Sequence, residues 1–245
     1  MSRRTESAET QMDGTTFQRV LAIVLRDYPA EDWTQERAPF EVLVSVILSQ
    51  NTTVQNERRA LEHLRVTIGI TPERIASASQ EELEEAIRPA GLYVSKARWL
   101  RGIAQHLVDR HESNVRDLIH PPLDRARRAL MQMDGIGPKT ADVVLSMVGK
   151  YPTMPVDTHI WRLAQRWEIN PGRRYEDVAE AWKARISPEQ RREAHLALIR
   201  FGRETCTAQL PRCLACPVAP DCPFYEKIRT GQIQIRLWQP PEASA

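Results

Sequence analysis

Residues 130–160, LMQMDGIGPKTADVVLSMVGKYPTMPVDTHI, constrain the fold more than any other part of the chain. Gly135 and Gly137 can both adopt positive φ, which permits a tight reversal of the backbone. Pro138 has a φ already suited to a first helical turn, where its missing N–H costs nothing. Residues 141–149 are apolar on nearly all sides, as in a helix that is buried on most of its surface. The segment therefore predicts two helices joined by a tight turn, with the second helix buried.

Two ionisable residues occupy helix starts in this segment. Lys139 lies just inside the second helix, at the positive end of the helix dipole and beside apolar residues. Both surroundings disfavour the charged amine, which is how a lysine becomes a nucleophile. Asp157 follows Pro152 and Pro155, and aspartate is a favoured N-cap. We therefore expect a nucleophile at one helix start and a capping carboxylate at the next.

Apolar residues recur at helical spacing along nearly the whole chain. The pattern is clear in residues 17–24 and 100–107, and Thr71 and Ser79 stand where N-caps are expected. Only residues 231–238, GQIQIRLW, alternate like a strand, and a single such segment has no partner strand. The predicted fold class is all-α.

The net charge of +2 is too small to indicate a polyanionic partner. Between residues 88 and 139, however, ten basic side chains stand against five acidic ones, a local balance of +5. A phosphate-binding face and a solvated helical surface explain this asymmetry equally well. No apolar run reaches the roughly 20 residues of a membrane span, and residues 1–15 lack the apolar region of a secretory signal. We expect an intracellular, cytoplasmic protein with a disordered tail over residues 1–15.

The four cysteines all lie within seventeen residues, with the spacing C-x6-C-x2-C-x5-C. Clustered cysteines without a secretory signal favour a metal centre over disulfides. Four thiolates suit either tetrahedral zinc or a [4Fe–4S] cluster, and the spacing alone leaves both open.

Four segments together resemble the helix-hairpin-helix DNA glycosylase superfamily, and its endonuclease III-like members in particular. The first is PFEVLVSVILSQNTT at residues 39–53, and the second is GLYVSKA at residues 91–97. The third is the turn of residues 130–145 followed by the VDTH motif at residues 156–159. The fourth is the cysteine loop, and the resemblance extends over about residues 16–227.

The resemblance implies a fold of two lobes. Residues 36–151 would form a six-helix barrel that carries the hairpin. Residues 16–35 and 152–227 would form a helical domain with an iron–sulfur loop, followed by a tail over residues 228–245. A glycosylase removes a damaged base after taking it out of the duplex, so side chains must fill the gap.

The resemblance also implies roles for individual residues. Lys139 would be the nucleophile, and Asp157 would stabilise positive charge on the sugar. Leu92 would enter the gap from one side, and Gln50 or Asn51 from the other, with the choice left open. The remaining implied DNA contacts are Gly135, Gly137, Thr140 and His159. The implied ligands of a [4Fe–4S] cluster are Cys206, Cys213, Cys216 and Cys222.

The function implied is base excision repair of duplex DNA by a monomeric enzyme with no membrane partner. It would act on damaged bases and abasic sites as a glycosylase with lyase activity (β-elimination), and its substrates would be oxidised pyrimidines. One alternative is a mismatch glycosylase for uracil, thymine or a purine. Another is a non-catalytic iron–sulfur protein that binds DNA. Asp134 departs from the family pattern, because an acid is unexpected so close to a phosphate-binding turn.

Overall fold

The computed structural model describes residues 12–29, 31–110, 115–119, 122–169 and 172–239, without the side chain of residue 117. These residues fold as helices and connecting loops, and no strand occurs among them, so the all-α prediction is confirmed. The strand-like residues 231–238 have no regular secondary structure. The helices are α1 Gly14–Asp27, α2 Pro39–Leu48, α3 Val54–Thr67, α4 Pro72–Ser77, α5 Gln80–Ile87, α6 Tyr93–Asp109, α7 Val115–Leu118, α8 Leu123–Met131, α9 Pro138–Met147, α10 Thr158–Arg166, α11 Tyr175–Lys183, α12 Arg191–Glu204 and α13 Pro223–Arg229.

The helix starts follow the capping signals of the sequence. The Thr71 side chain accepts a hydrogen bond from the N–H of Arg74 at the start of α4. Ser79 and Glu82 form a reciprocal capping box at the start of α5. Each cap satisfies backbone donors that the first helical turn leaves without partners.

The predicted N-terminal tail is too long. Asp13 caps α1 by accepting from the N–H groups of Thr15 and Thr16, and Met12 is buried. The helix therefore begins inside the segment that was predicted to be disordered, because the cap at Asp13 precedes the first apolar position. Residues 1–11 and 240–245 of the two predicted tails lie outside the described residues.

The described chain divides into two compact units. Unit 1 consists of two segments, the described residues up to Asp32 and those from Met154 onwards. Unit 2 is Trp33–Thr153. No helix in the described part of the chain is long and apolar enough to cross a membrane.

Aromatic side chains fill the core of unit 1. Phe17 of α1 lies 5.9 Å from Trp182 of α11, and Trp167 lies 6.0 Å from Phe201 of α12, measured between ring centroids. Such pairs add about 0.5–1.5 kcal/mol each to the free energy of burial. This packing fixes α10, which Asp157 caps, and α12, which precedes the cysteine loop.

Unit 2 is built around α2, which buries eight of its ten residues and packs against α9 and α3. Leu43 and Ile47 of α2, Leu100 of α6 and Leu145 of α9 are all buried. The core thus holds α2, α6 and α9 in fixed positions, and each of these helices has one end at a loop of the candidate site.

Candidate functional site

The predicted hairpin is present between α8 and α9. Gly135 adopts φ +82, and a Cβ there would lie 2.5 Å from the Trp99 ring, so both backbone and packing require glycine. Gly137 has φ −86 and an extended backbone, so of the two glycines only Gly135 uses the positive φ that glycine permits. It serves as the N-cap of α9, and a Cβ there would meet nothing within 4 Å.

The first turn of α9 leaves backbone donors available. Pro138 occupies the first turn, and no side chain caps the helix. The N–H groups of Lys139 and Thr140 in this turn therefore have no acceptor within the helix. The Thr140 side chain accepts a hydrogen bond from Gln50, and the residue is buried, so a contact between the Thr140 hydroxyl and DNA is not favoured.

Lys139 is exposed to solvent. The apolar packing expected beside Lys139 lies on the other side of α9, because the helix turns its apolar positions towards the core and leaves Lys139 outside. Three residues further on, Asp142 is buried and accepts from Nε of Arg127 on α8 at 2.7 Å. This ion pair holds α8 against α9 directly behind the helix start that carries Lys139.

The loop after α2 contains Gln50 and Asn51, the two candidates for filling a gap in DNA. Nε2 of Gln50 donates to the carbonyl of Gly135 at 3.0 Å and to Oγ1 of Thr140 at 3.2 Å. Asn51 is exposed and holds φ +51, which few non-glycine residues adopt. The Gln50 side chain is thus bound within the protein, and the Asn51 side chain is accessible.

Leu92 stands at the N-cap of α6 with φ +49 and is 54 % exposed. No side chain caps this helix. Leu92 has two unfavourable features. Its apolar side chain is exposed to water, and its backbone adopts a left-handed conformation that is uncommon for leucine. Its placement fits the implied contact with DNA, which stays a prediction.

Lys96 is a residue whose importance the sequence analysis missed. Its side chain is fully buried, and Nζ donates to the carbonyls of Leu48, Gln50 and Ala90 at 2.8, 2.7 and 2.9 Å. The sequence could have predicted this burial from helical spacing. Lys96 lies four residues before Leu100 and therefore falls on the apolar face of α6.

In unit 1, Asp157 caps α10, as predicted. Its Oδ1 accepts from the N–H of His159 at 2.9 Å and from that of Ile160 at 2.8 Å. The side chain is only partly buried, so part of the carboxylate remains accessible. The proposed charge-stabilising role of Asp157 stays a prediction.

His159 is half-buried beside α12. Burial lowers the pKa of His159, and Nη2 of Arg162 lies 3.0 Å from its Nδ1. A guanidinium can only donate, so Nδ1 is the acceptor and the imidazole is neutral with its proton on Nε2. This state leaves one N–H donor on the ring, which suits the implied phosphate contact.

The four cysteines come together in unit 1 as free thiols. They line one pocket together with apolar side chains that include Trp167 and Phe201. Burial raises the pKa of Cys216 to about 12 and that of Cys222 to about 11. Bound metal cations reverse this preference, because they stabilise thiolates. No three His, Cys, Asp or Glu side chains in the described ranges are grouped to hold a metal ion.

Two arginines of α10, which the sequence analysis also missed, hold the start of the cysteine loop. Nε of Arg162 donates to the carbonyl of Cys206 at 2.9 Å, and Nη1 of Arg166 lies 3.1 Å from Cys206 Sγ. Arg166 also stacks on Phe224, 4.5 Å from the ring centroid. These contacts fasten the cysteine loop to the helix that Asp157 caps.

Comparison with known proteins identifies the family. Residues 44–188, more than half of the chain, match the model of the HhH-GPD superfamily base excision DNA repair proteins. The chain belongs to this superfamily. The matched range of the HhH-GPD model contains the hairpin, Leu92, Lys139 and Asp157, and it ends before the cysteine loop.

Individual HhH-GPD relatives are similar over most of their length. The endonuclease III of Sulfolobus acidocaldarius is 36 % identical over 191 residues, which cover 77 % of this chain and 83 % of the relative. The endonuclease III of Escherichia coli K12 is 35 % identical over 191 residues, covering 78 % and 86 % respectively. A trapped covalent intermediate of an endonuclease III with DNA (an estranged-adenine complex) superposes with a TM-score of 0.79 at 29 % identity, covering 89 % of this chain and all of the other.

Proposed function

We propose that this protein is a base excision repair DNA glycosylase with lyase activity at abasic sites, and that Lys139 is its nucleophile. The observation that carries the proposal is the placement of Lys139, an exposed amine in the first turn of the hairpin helix α9. Membership of the HhH-GPD superfamily supports the reaction class. A similar endonuclease III forms a covalent intermediate with DNA, which supports a nucleophilic side chain.

The neutral Lys139 amine attacks C1′ of the damaged nucleotide, and the bond between C1′ and the base breaks. The base leaves with the bonding electron pair and takes up a proton. The sugar ring opens to an imine on Lys139, loss of a proton from C2′ breaks the C3′–O bond, and the phosphate leaves. Water then hydrolyses the imine and regenerates the amine, so one difficult step becomes several easier ones.

Lys139 is exposed in the free protein, so the substrate itself must help to create the dry surroundings that the reaction needs. Because the free protein leaves the amine in water, we expect bound DNA to exclude water from it. The unpartnered N–H groups at the start of α9 would bind one phosphate and so fix the strand beside Lys139.

Asn51 is our choice for the residue that fills the gap, with Leu92 as the second. Gln50 already uses its amide on Gly135 and Thr140, and moving it would leave the carbonyl of Gly135 without this donor. Asn51 and Leu92 are exposed on their loops and need no such exchange.

Asp157 would stabilise the positive charge that develops on the sugar as the base leaves. Both capping hydrogen bonds go to Oδ1, so the capping role and the charge role are compatible.

We also propose that the four cysteines hold a [4Fe–4S] cluster. All four thiols line one pocket of unit 1 among apolar side chains. Thiolates are the ligands that iron–sulfur clusters require. The cluster would supply a structural cross-link here, because it joins four points of one loop.

Borohydride trapping on duplex DNA with a defined lesion tests the nucleophile. We expect the wild type to form a covalent adduct and Lys139→Ala to form none, because the reducible imine requires this amine. Lys150→Asn removes another exposed lysine of unit 2 and places there a residue that tolerates the left-handed backbone of φ +54. This control variant should trap as the wild type does.

An undiminished adduct with Lys139→Ala would contradict the assignment. The substrate class is tested by comparing base-removal rates on thymine glycol, on uracil or thymine opposite guanine, and on mismatched adenine. We expect thymine glycol, an oxidised pyrimidine, to be processed fastest. A faster rate on a mismatch would support the mismatch glycosylase instead.

A further inference from the structure

A single buried ammonium group joins two loops of unit 2. The three protons of Lys96 Nζ match the three carbonyls that surround it, those of Leu48, Gln50 and Ala90. Leu48 is the last residue of α2, Gln50 lies two residues after it, and Ala90 lies directly before Gly91. These loops are far apart in the sequence, and their hydrogen bonds converge on one atom.

Each loop continues into an exposed residue with left-handed backbone. Asn51 follows Gln50 directly with φ +51, and Leu92 follows two residues after Ala90 with φ +49. In leucine such a conformation costs about 1–3 kcal/mol and persists only where the surrounding structure fixes it, whereas asparagine tolerates it at lower cost. The carbonyls of Gln50 and Ala90, which Lys96 holds, lie one residue before Asn51 and two residues before Leu92.

Gln50 extends the network to the hairpin. Its backbone carbonyl accepts from Lys96, and its side chain donates to Gly135 and Thr140, the residues on either side of the turn that presents Lys139. A continuous series of hydrogen bonds therefore runs from Ala90 through Lys96 and Gln50 to the start of α9.

Packing alone does not account for a lysine at this position. Lys96 lies on the apolar face of α6, where Ala97 and Leu100 are also buried. Burial lowers the pKa of Lys96 to about 8, which reflects the cost of holding an ammonium group out of water. An uncharged residue would remove this cost, but it would leave three carbonyls without their donor.

We propose that Lys96 is a positioning residue that fixes the Asn51 and Leu92 loops in the conformation that fills the gap in duplex DNA. The Gln50 side chain keeps its own hydrogen bonds to the hairpin. The inference rests on the proposed function, because it assumes that these loops enter the duplex.

The experiment compares strand cleavage at an abasic site in duplex and in single-stranded DNA under single-turnover conditions. A single strand has no opposing base and no gap, so its cleavage requires Lys139 but not the loops. We expect Lys96→Met to slow duplex cleavage at least about tenfold and to change single-strand cleavage by less than about twofold, because charge-assisted hydrogen bonds are lost only at the loops.

Leu107→Ala is the matched control. Leu107 is buried on the same helix, eleven residues from Lys96 and thus about 16 Å along the helix axis. A variant that merely destabilises unit 2 lowers both rates together, so we expect the ratio of duplex to single-strand cleavage to stay at the wild-type value.

Rescue by a small amine tests the donor itself. Lys96→Ala removes three carbons and the nitrogen, which propylammonium replaces atom for atom. We expect propylammonium to restore the duplex rate several-fold and 1-propanol, with one donor, to have little effect. If Lys96→Met does not fold, the rescue of Lys96→Ala by propylammonium still tests whether the Lys96 ammonium positions the loops.

The inference would be overturned if Lys96→Met and Lys96→Ala both kept a ratio of duplex to single-strand cleavage rates within about twofold of the wild type. The lost donors would then not matter to the loops. If the wild type cleaved neither substrate and gave no adduct, the proposed function would fail instead.

Discussion

Asp157 caps α10 and is also proposed to stabilise positive charge on the sugar, and substitutions can separate these two roles. Asparagine is as good an N-cap as aspartate, but it carries no charge. For Asp157→Asn we expect the free energy of unfolding to change by less than about 0.5 kcal/mol, because Oδ1 still accepts from His159 and Ile160. Base removal should slow at least about 100-fold, because the stabilising charge is gone. Thermal unfolding and single-turnover kinetics measure the two effects.

Asp157→Ala provides the comparison. It removes the cap as well as the charge, so the free energy of unfolding should fall by about 1 kcal/mol relative to Asp157→Asn. Equal activity in the wild type and Asp157→Asn would leave Asp157 as a cap only.

At the scale of the element, the hairpin contains two glycines with different requirements. Gly135→Ala forces alanine to φ +82 and brings its Cβ to 2.5 Å from the Trp99 ring. We expect it to lower the free energy of unfolding by about 3 kcal/mol, through backbone strain and overpacking. Chemical denaturation of the wild type and the variant measures the difference.

Gly137→Ala is the matched control within the same turn. Its φ of −86 suits alanine, and the added Cβ meets nothing within 4 Å. We expect the free energy of unfolding to change by less than about 0.5 kcal/mol. Affinity for abasic-site duplex should nevertheless fall, because the methyl group stands where a phosphate would approach the N–H groups. Unchanged affinity would argue against a phosphate at this turn.

At the scale of the whole molecule, the cysteines belong to unit 1 alone. We expect purified protein to be brown, with about four iron atoms per chain. Removing the iron with a reductant and chelator should increase hydrogen exchange around Phe201 and Val218, which lie next to the cysteines. The core of α6 in unit 2 should keep its protection, because Leu100 and Ile103 are buried within their own unit.

The matched variants are Cys222→Ser and Ser49→Ala, since the first removes a proposed ligand and the second changes an exposed hydroxyl of unit 2. Only the first should lose iron. A colourless protein with one zinc atom per chain would contradict the cluster, and equal loss of protection in both units would contradict independent cores.

The sequence predicts a structural feature of this protein well when that feature depends only on residues nearby in the chain. The caps at Thr71, Ser79 and Asp157 and the positive φ of Gly135 all follow from neighbours within three or four residues. Gly137 does not use the positive φ open to glycine, because one left-handed glycine suffices for this turn. Lys139 is exposed although its helix is mostly apolar, because the helix turns its apolar positions towards the core.

The sequence by itself determined the helices, the hairpin, the lysine in its turn and the four thiols, because periodicity, backbone preference and donor type are properties of short segments. Only the tertiary structure decided that Lys96 is fully buried and that Gln50 rather than Asn51 is bound within the protein. The hydrogen bonds from Lys96 to Gln50 and from Gln50 to Gly135 and Thr140 span 46 to 90 residues of chain. Helical spacing indicates which face a side chain occupies, but its partner depends on how distant elements pack against that face.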